Sequence, residues 1–237
     1  MSDKTWRSTV STKMAIAACV LMPVAALGTK FGLWPFTIGF LVLAASILLA
    51  LFTIVIAAIY ILKEAYSADK PSMRNAALLA FVPMAIVAAI VAGAGDVPPI
   101  HNITTNLANP PTYEAVLPLR AADSNPLEIT PAVAAVHSAG YSHLKPVVSD
   151  LSAEQAIVKA EQLAQSMGWI IVPDQRDNYI EATVTSFWFG FTDDIVIRVT
   201  PAQNGSIIDL RSVSRVGKSD LGANAKRINV FITAFNQ

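Results

Sequence analysis

The chain is poor in the residues that carry most chemistry. Among 237 residues there is one cysteine, Cys19, so no intramolecular disulfide can form and no cysteine-based zinc site exists. The three histidines, His101, His137 and His143, are scattered and lack the spacing of a metal site. Charge is scarce as well. Only 14% of residues are charged, against about 25% in an ordinary soluble domain. No Gly-x-Ser-x-Gly nucleophile turn occurs. Basic residues are not interleaved with aromatics in the manner of a nucleic-acid surface. The sequence therefore predicts no metal, no cofactor and no nucleic-acid partner.

What the chain has instead is apolar residues, 54% of the total, crowded into its first 95 positions. About 20 apolar residues cross the hydrocarbon core of a bilayer as a helix. Residues 14–34, 36–62 and 76–95 meet that length, which predicts a three-helix membrane anchor over 1–95. Small residues at Ala57, Ala58, Ala88, Ala89 and Ala92 are expected to let these helices approach closely. Basic residues flank the spans unevenly: Lys4, Arg7 and Lys13 before the first, and Lys63, Lys70 and Arg74 between the second and third, against Lys30 alone in the turn between the first and second. Past the third span none appears until Arg120. Positive segments stay on the cytoplasmic side. The expectation is a multi-pass protein of the inner (cytoplasmic) membrane with a cytoplasmic N-terminus and a periplasmic C-terminal half. Membrane lipids are then its first partners. With no charge deep in the spans, the helices read as an anchor rather than a transport path.

Residues 96–131 are rich in Pro, Asn and Thr. Pro98-Pro99 and Pro110-Pro111 oppose regular helix, so this segment is expected to be an extended strap. Residues 132–237 read as a compact α+β domain. A short helix at 132–139 precedes a longer one introduced by Ser152-Ala-Glu-Gln155, a capping box, and stopped by Gly168. Ala156, Ala160, Leu163 and Ala164 share one face of it. Strand-like runs follow at 169–173, 179–189, 194–200 and 206–214, with Asn204-Gly205 as a tight hairpin turn. Connections this short make the sheet antiparallel. A last helix over 220–235 is expected to face the sheet through Leu221, Ala225, Ile228, Phe231, Ile232 and Phe235. The prediction is an α+β protein: three transmembrane helices, then a two-layer domain with a four-stranded antiparallel sheet and packed helices.

One short stretch imitates a nucleotide site. Gly217-Lys218-Ser219 matches the end of Gly-x-x-x-x-Gly-Lys-Ser/Thr, but position 212 is Ser212 where the first glycine belongs. The motif also belongs to a parallel sheet, so an NTPase is excluded. The surrounding charge is informative. Residues 98–237 hold ten basic against thirteen acidic residues, whereas residues 211–227 hold five basic and one acidic. A basic cluster beside a helix N-terminus can take an anion. Ser219 or Asp220 is expected to cap the last helix. The competing reading pairs these cations with Glu181, Asp193, Asp194 and Asp209 on neighbouring strands. Asp193 and Asp194, being adjacent on a strand, must point to opposite faces.

The segments "IHNITTNLANPP" (100–111), "IEATVTSFWFGFTDDIVIRV" (180–199) and "RSVSRVGKSDLGANAKRI" (211–228) closely resemble the DUF1499 family of uncharacterised proteins. The resemblance spans roughly 98–237. It fits an inner-membrane location, since members of the family in proteobacteria carry several N-terminal membrane helices. It brings no activity with it. What it implies is that Glu181, Asp193, Asp194, Arg198, Arg211, Ser214, Arg215, Gly217, Ser219, Asp220, Gly222, Asn224 and Arg227 belong to the family's pattern.

The sequence points to a membrane-anchored binding or accessory/assembly protein. Its partner would be a membrane protein complex or an anionic lipid head group. The expected site is Arg211, Ser214, Arg215, Gly217, Lys218, Ser219, Asp220, Asn224 and Arg227. The rival is an envelope hydrolase acting on an anionic or phosphorylated substrate. There Glu181 or Asp194 would be the acid–base group and the arginines a clamp. Geometry separates the two: an open cleft favours the enzyme, mutual pairing and burial favour the binding protein.

Overall fold

A computed structural model describes residues 5–237. Lys4, one of the residues used for orientation, lies outside them. The chain forms two compact units. One runs to Gly95 and also includes Phe187–Gly190; the other comprises Asp96–Ser186 and Phe191–Gln237.

In the helical unit, α1 (Trp6–Lys30), α2 (Phe36–Leu62) and α3 (Lys70–Ala94) are each long and apolar enough to cross a membrane. The first starts eight residues earlier than its apolar run, because the Thr5 hydroxyl caps it by accepting from the Ser8 N–H. Its packing is built on small residues. Ala15, Ala18, Ala50, Ala57 and Ala80 are fully buried, and the Ser46 hydroxyl donates to the Ala18 carbonyl at 2.7 Å. A Cβ added at Gly28 would lie 2.0 Å from the Trp34 ring, and one at Gly39 2.1 Å from Thr29 Oγ1. Ala57 is buried as expected. Ala58, Ala88, Ala89 and Ala92 are exposed instead, and α3 packs through Met73, Ala76, Ala80 and Pro83. Within this unit Lys30 Nζ lies 4.4 Å from the Phe187 ring centroid, and the Phe40 and Phe189 rings are 5.3 Å apart.

The second unit is an antiparallel sheet with helices on one face. The sheet has six strands among the described residues, not four. The strands β3 (Ile170–Val172), β4 (Tyr179–Thr185), β5 (Thr192–Ala202) and β6 (Gly205–Ser214) form the expected meander. Two three-residue strands, β1 (Asn102–Thr104) and β2 (Val147–Ser149), pair with successive stretches of β6 and complete it. Both come from segments whose sequence shows no alternation. They are held by the exposed hydrogen-bonding edge of β6, which would otherwise stay unpaired.

Helices α4 (Pro131–Gly140), α5 (Ala153–Ser166) and α6 (Ala223–Phe235) accompany the sheet. The capping box of α5 is formed on both sides, and Ala156, Ala160 and Ala164 are fully buried. Period two decides which side each strand residue serves. Ile180 and Ala182, Ile195 and Ile197, and Ile208 and Leu210 meet α5 and α6 in the main core, where Trp169 stacks on Phe231. Tyr113, Val116, Val196 and Val213 form a smaller core on the opposite face, under residues 105–130. Leu221 departs from expectation. It sits before α6 with φ +52° and is 52% exposed, so it does not face the sheet.

Candidate functional site

The residues singled out in the sequence divide between the two faces of the sheet. Asp194, Arg198, Asp209 and Arg211 alternate with the helix-facing residues, so they lie on the strap face with Glu181. Asp193, Ser212 and Ser214 lie on the other face, beside the start of α6.

On the strap face, Asp194 is fully buried and is the hub. Arg215 donates to its carboxylate from Nε and Nη2, at 3.0 and 2.7 Å, and Arg120 donates from Nη1. Glu181 is equally buried. It accepts the backbone N–H groups of Glu114 and Val116 and the Arg176 guanidinium. Burial pushes the Glu181 carboxyl above its ordinary value, and those N–H groups and Arg176 oppose the shift. Arg176 also pairs with Asp174 at 2.6 Å. Burial raises the Asp174 pKa, but the Arg176 hydrogen bonds and charge outweigh it and hold the group below the usual range. Arg198 pairs with Asp209 at 2.7 Å and donates to the Asn109 carbonyl.

Arg211 differs from the others. It is 5% exposed, and its acceptors are Asn102 Oδ1 and the carbonyls of Pro111 and Leu127. The Tyr113 ring lies 5.2 Å from its guanidinium carbon. Burial among neutral dipoles lowers its pKa. The planar fork thus ties three separate points, 102, 111 and 127, to one strand. The Tyr113 hydroxyl donates to the Asp194 carbonyl, and its own burial raises its pKa.

On the helix face, Arg227 donates to Asp193 at 2.7 Å and to Ser212 Oγ at 3.0 Å. The Asn224 amide is buried and donates to Ser214 Oγ and the His101 carbonyl, while Ser212 donates to its oxygen. Burial raises the Asp193 pKa against the charge of Arg227. Asp220 serves the start of α6 as expected, accepting the N–H groups of Gly222 and Asn224 at 2.9 and 2.8 Å. The N-cap position itself is Gly222, with φ +82°. The Ser219 hydroxyl accepts from Leu221 N–H and caps only its own turn.

Gly217-Lys218-Ser219 is therefore not a phosphate cradle. Its strand, β6, is antiparallel to every partner. The Asn125 amide donates to the carbonyls of Ser214 and Gly217, closing the loop from the strap side. Gly217 has φ +88°, which a side chain would resist. Of the five cations in 211–227, Arg211, Arg215 and Arg227 are engaged internally, and Lys218 and Lys226 are exposed.

Sequence reasoning did not single out Arg120, Arg176 or Asn125 for the site. Their signal is weak, because each lies in irregular chain where no period applies. It also passed over a cavity of about 140 Å³ whose walls include Thr104, Thr105, His137 and Tyr141. His137 is 2% exposed, and its Nε2 accepts the Thr104 N–H at 3.1 Å, which places the ring proton on Nδ1. Neither His137 Nδ1 nor the Tyr141 hydroxyl has a partner among the described residues. Burial holds the imidazole below its ordinary pKa.

The model of the DUF1499 family, proteins of unknown function, matches residues 102–235, more than half of the chain. The chain belongs to the DUF1499 family. The match begins at β1 and ends in the last turn of α6, so the DUF1499 region is the whole sheet with its strap. No curated protein matches the chain.

Proposed function

We propose that this DUF1499 protein is a membrane-anchored accessory or assembly factor without catalytic chemistry of its own. It sits in the inner membrane with its N-terminus in the cytoplasm and its sheet domain in the periplasm. The domain binds a membrane protein complex or an anionic lipid head group. The orientation rests on the basic residues before the first span and between the second and third, against Lys30 alone between the first and second and none soon after the third.

The observation that carries the reading is the engagement of both candidate acids. Glu181 and Asp194 are fully buried, and each holds arginine and lies under the strap. A general acid or base must reach a substrate proton, and these carboxylates are occupied by the protein itself. That engagement weighs against the hydrolase reading, and its arginines are engaged internally too: Arg215 with Asp194, Arg227 with Asp193, and Arg211 with Asn102 and two strap carbonyls.

The binding surface narrows to the exposed part of 211–227. Lys218 and Lys226 offer positive charge, and between them Leu221 holds an exposed apolar side chain in a left-handed backbone. That conformation costs about 1–2 kcal/mol for a residue with a Cβ, and strain of this kind gathers at recognition sites. Arg215 and Arg227 are unsuitable for testing the surface, because reversing them strips buried Asp194 and Asp193 of their partners. The test is the double variant Lys218→Glu/Lys226→Glu, with Leu221→Asn as a second probe. Co-purification from native membranes should lose the bound partner or lipid while the melting temperature stays within a degree or two. Retained binding in both variants would remove the surface from the account.

A further inference from the structure

We propose that the β4–β5 turn, residues 186–191, inserts its aromatic tip into the bilayer interface, giving the DUF1499 domain a second hold on the membrane besides α3. The proposal rests on the membrane-anchored reading. Its occupant is the lipid interface, and three observations select it.

The tip is apolar and turned outward. Phe187 is 69% exposed and Trp188 56%, at the end of a hairpin whose strands are buried on both faces. Amphipathic and aromatic rings of this kind concentrate at the head-group level of membranes.

The register puts the tip at the end of the sheet where the chain arrives from α3. The chain reaches the sheet from α3 at Asn102, which pairs with Val213, which pairs in turn with Asp194. Asp194 is two residues into β5 from Thr192, where the turn ends. Adjacent strands lie about 4.8 Å apart, so chain arrival and tip are separated by roughly 10 Å sideways. Eight residue steps join Ala94 to Asn102, a reach of about 28 Å at most. The opposite turn, at Asn204, lies the length of β5 away, about 35 Å.

The tip also belongs with the spans. Phe187–Gly190 group with the helical unit, where Lys30 in the last turn of α1 lies over Phe187. The end of a span is the level of the interface, and a lysine there reaches for head groups. A tip at that level with both rings more than half exposed presents them to lipid.

The test uses the full chain in phospholipid nanodiscs, with Cys19→Ser to remove the native thiol. Nitroxide is attached at Trp188→Cys, and separately at Phe187→Cys. Asn204→Cys serves as the aqueous reference and Leu48→Cys, on an exposed face of α2, as the lipid reference. Collision with oxygen and with a water-soluble nickel chelate gives the depth. The expected result is an oxygen-to-nickel ratio at 188 and 187 several-fold above that at 204, approaching that at 48. A ratio at 187 and 188 equal to that at 204 overturns the proposal. So does shielding from both reagents, which would mean that protein covers the tip. A Leu48 label in water would overturn the anchor and the tip together, which separates the two failures.

Discussion

Asp193 and Asp194 are neighbours in the chain and serve opposite faces of one sheet. Asp193 takes Arg227 from α6 at 2.7 Å, and Asp194 takes Arg215 at 2.7 Å together with Arg120 from the strap. One dipeptide in the central strand therefore fixes both layers that cover the sheet. Its two carboxylates cannot act on one substrate, because period two separates them.

The two pairs differ in depth, and their removal should differ in cost. The Asp194 side chain is 0% exposed and is shared by two guanidinium groups; the Asp193 pair is 13–14% exposed. Removing one member of a buried pair costs about 3–5 kcal/mol. Asp194→Ala should lose that much in denaturant or thermal unfolding, and Asp193→Ala clearly less. Equal losses would show that the strap pair is no deeper in its effect than the helix pair.

Arg211 should behave as a latch on the strap. Lysine keeps the charge and loses the fork, so it cannot serve Asn102, Pro111 and Leu127 at once. Arg211→Lys should speed amide hydrogen exchange in residues 105–130 while α5 keeps its protection. Unchanged exchange in the strap would mean that Tyr113 and Val116 hold it without the arginine.

His137 gives a pH dependence of known sign. Its folded pKa is depressed by burial, so between the unfolded value, about 6.5, and the lower folded value the unfolded chain binds the extra proton. Its contribution to stability is full above the unfolded value and is lost as the pH falls. Acidification from about pH 7.5 to 5.5 should lower the melting temperature of the parent chain more than that of His137→Gln. Equal drops would assign the acid sensitivity to other groups.

The helical unit should resist even one added methyl group where α1 meets the turn into α2. A Cβ at Gly28 falls 2.0 Å from the rigid Trp34 ring. Gly28→Ala should lower thermal stability in detergent, whereas Gly93→Ala, where nothing lies within 4 Å, should not. Similar behaviour of the two would mean that Trp34 swings aside at no cost.

Much of this architecture was legible in the residues. The second span, the α5 capping box and the four-strand meander follow from local rules: apolar length, capping chemistry and period two; the hairpin turn itself falls one residue early, at Gln203-Asn204, with Gly205 already paired in β6. The two extra strands did not. Asn102–Thr104 is buried throughout, and its strand character comes from the edge of β6, a partner more than a hundred residues away. Ala88, Ala89 and Ala92 misled for a related reason, since small size permits close packing without fixing which helix face turns inward. At the site, the residue types were readable and their partners were not. The basic excess of 211–227 is a local sum, while its neutralisation comes from Asp193, Asp194 and strap carbonyls brought in by folding.

The most direct measurement is native mass spectrometry of the protein released from its own membranes in mild detergent, run beside Lys218→Glu/Lys226→Glu. The parent is expected to carry a stoichiometric protein or anionic lipid, and the double variant to shed it while melting at the same temperature. A parent chain that carries neither, or a variant that keeps its cargo, would contradict the account.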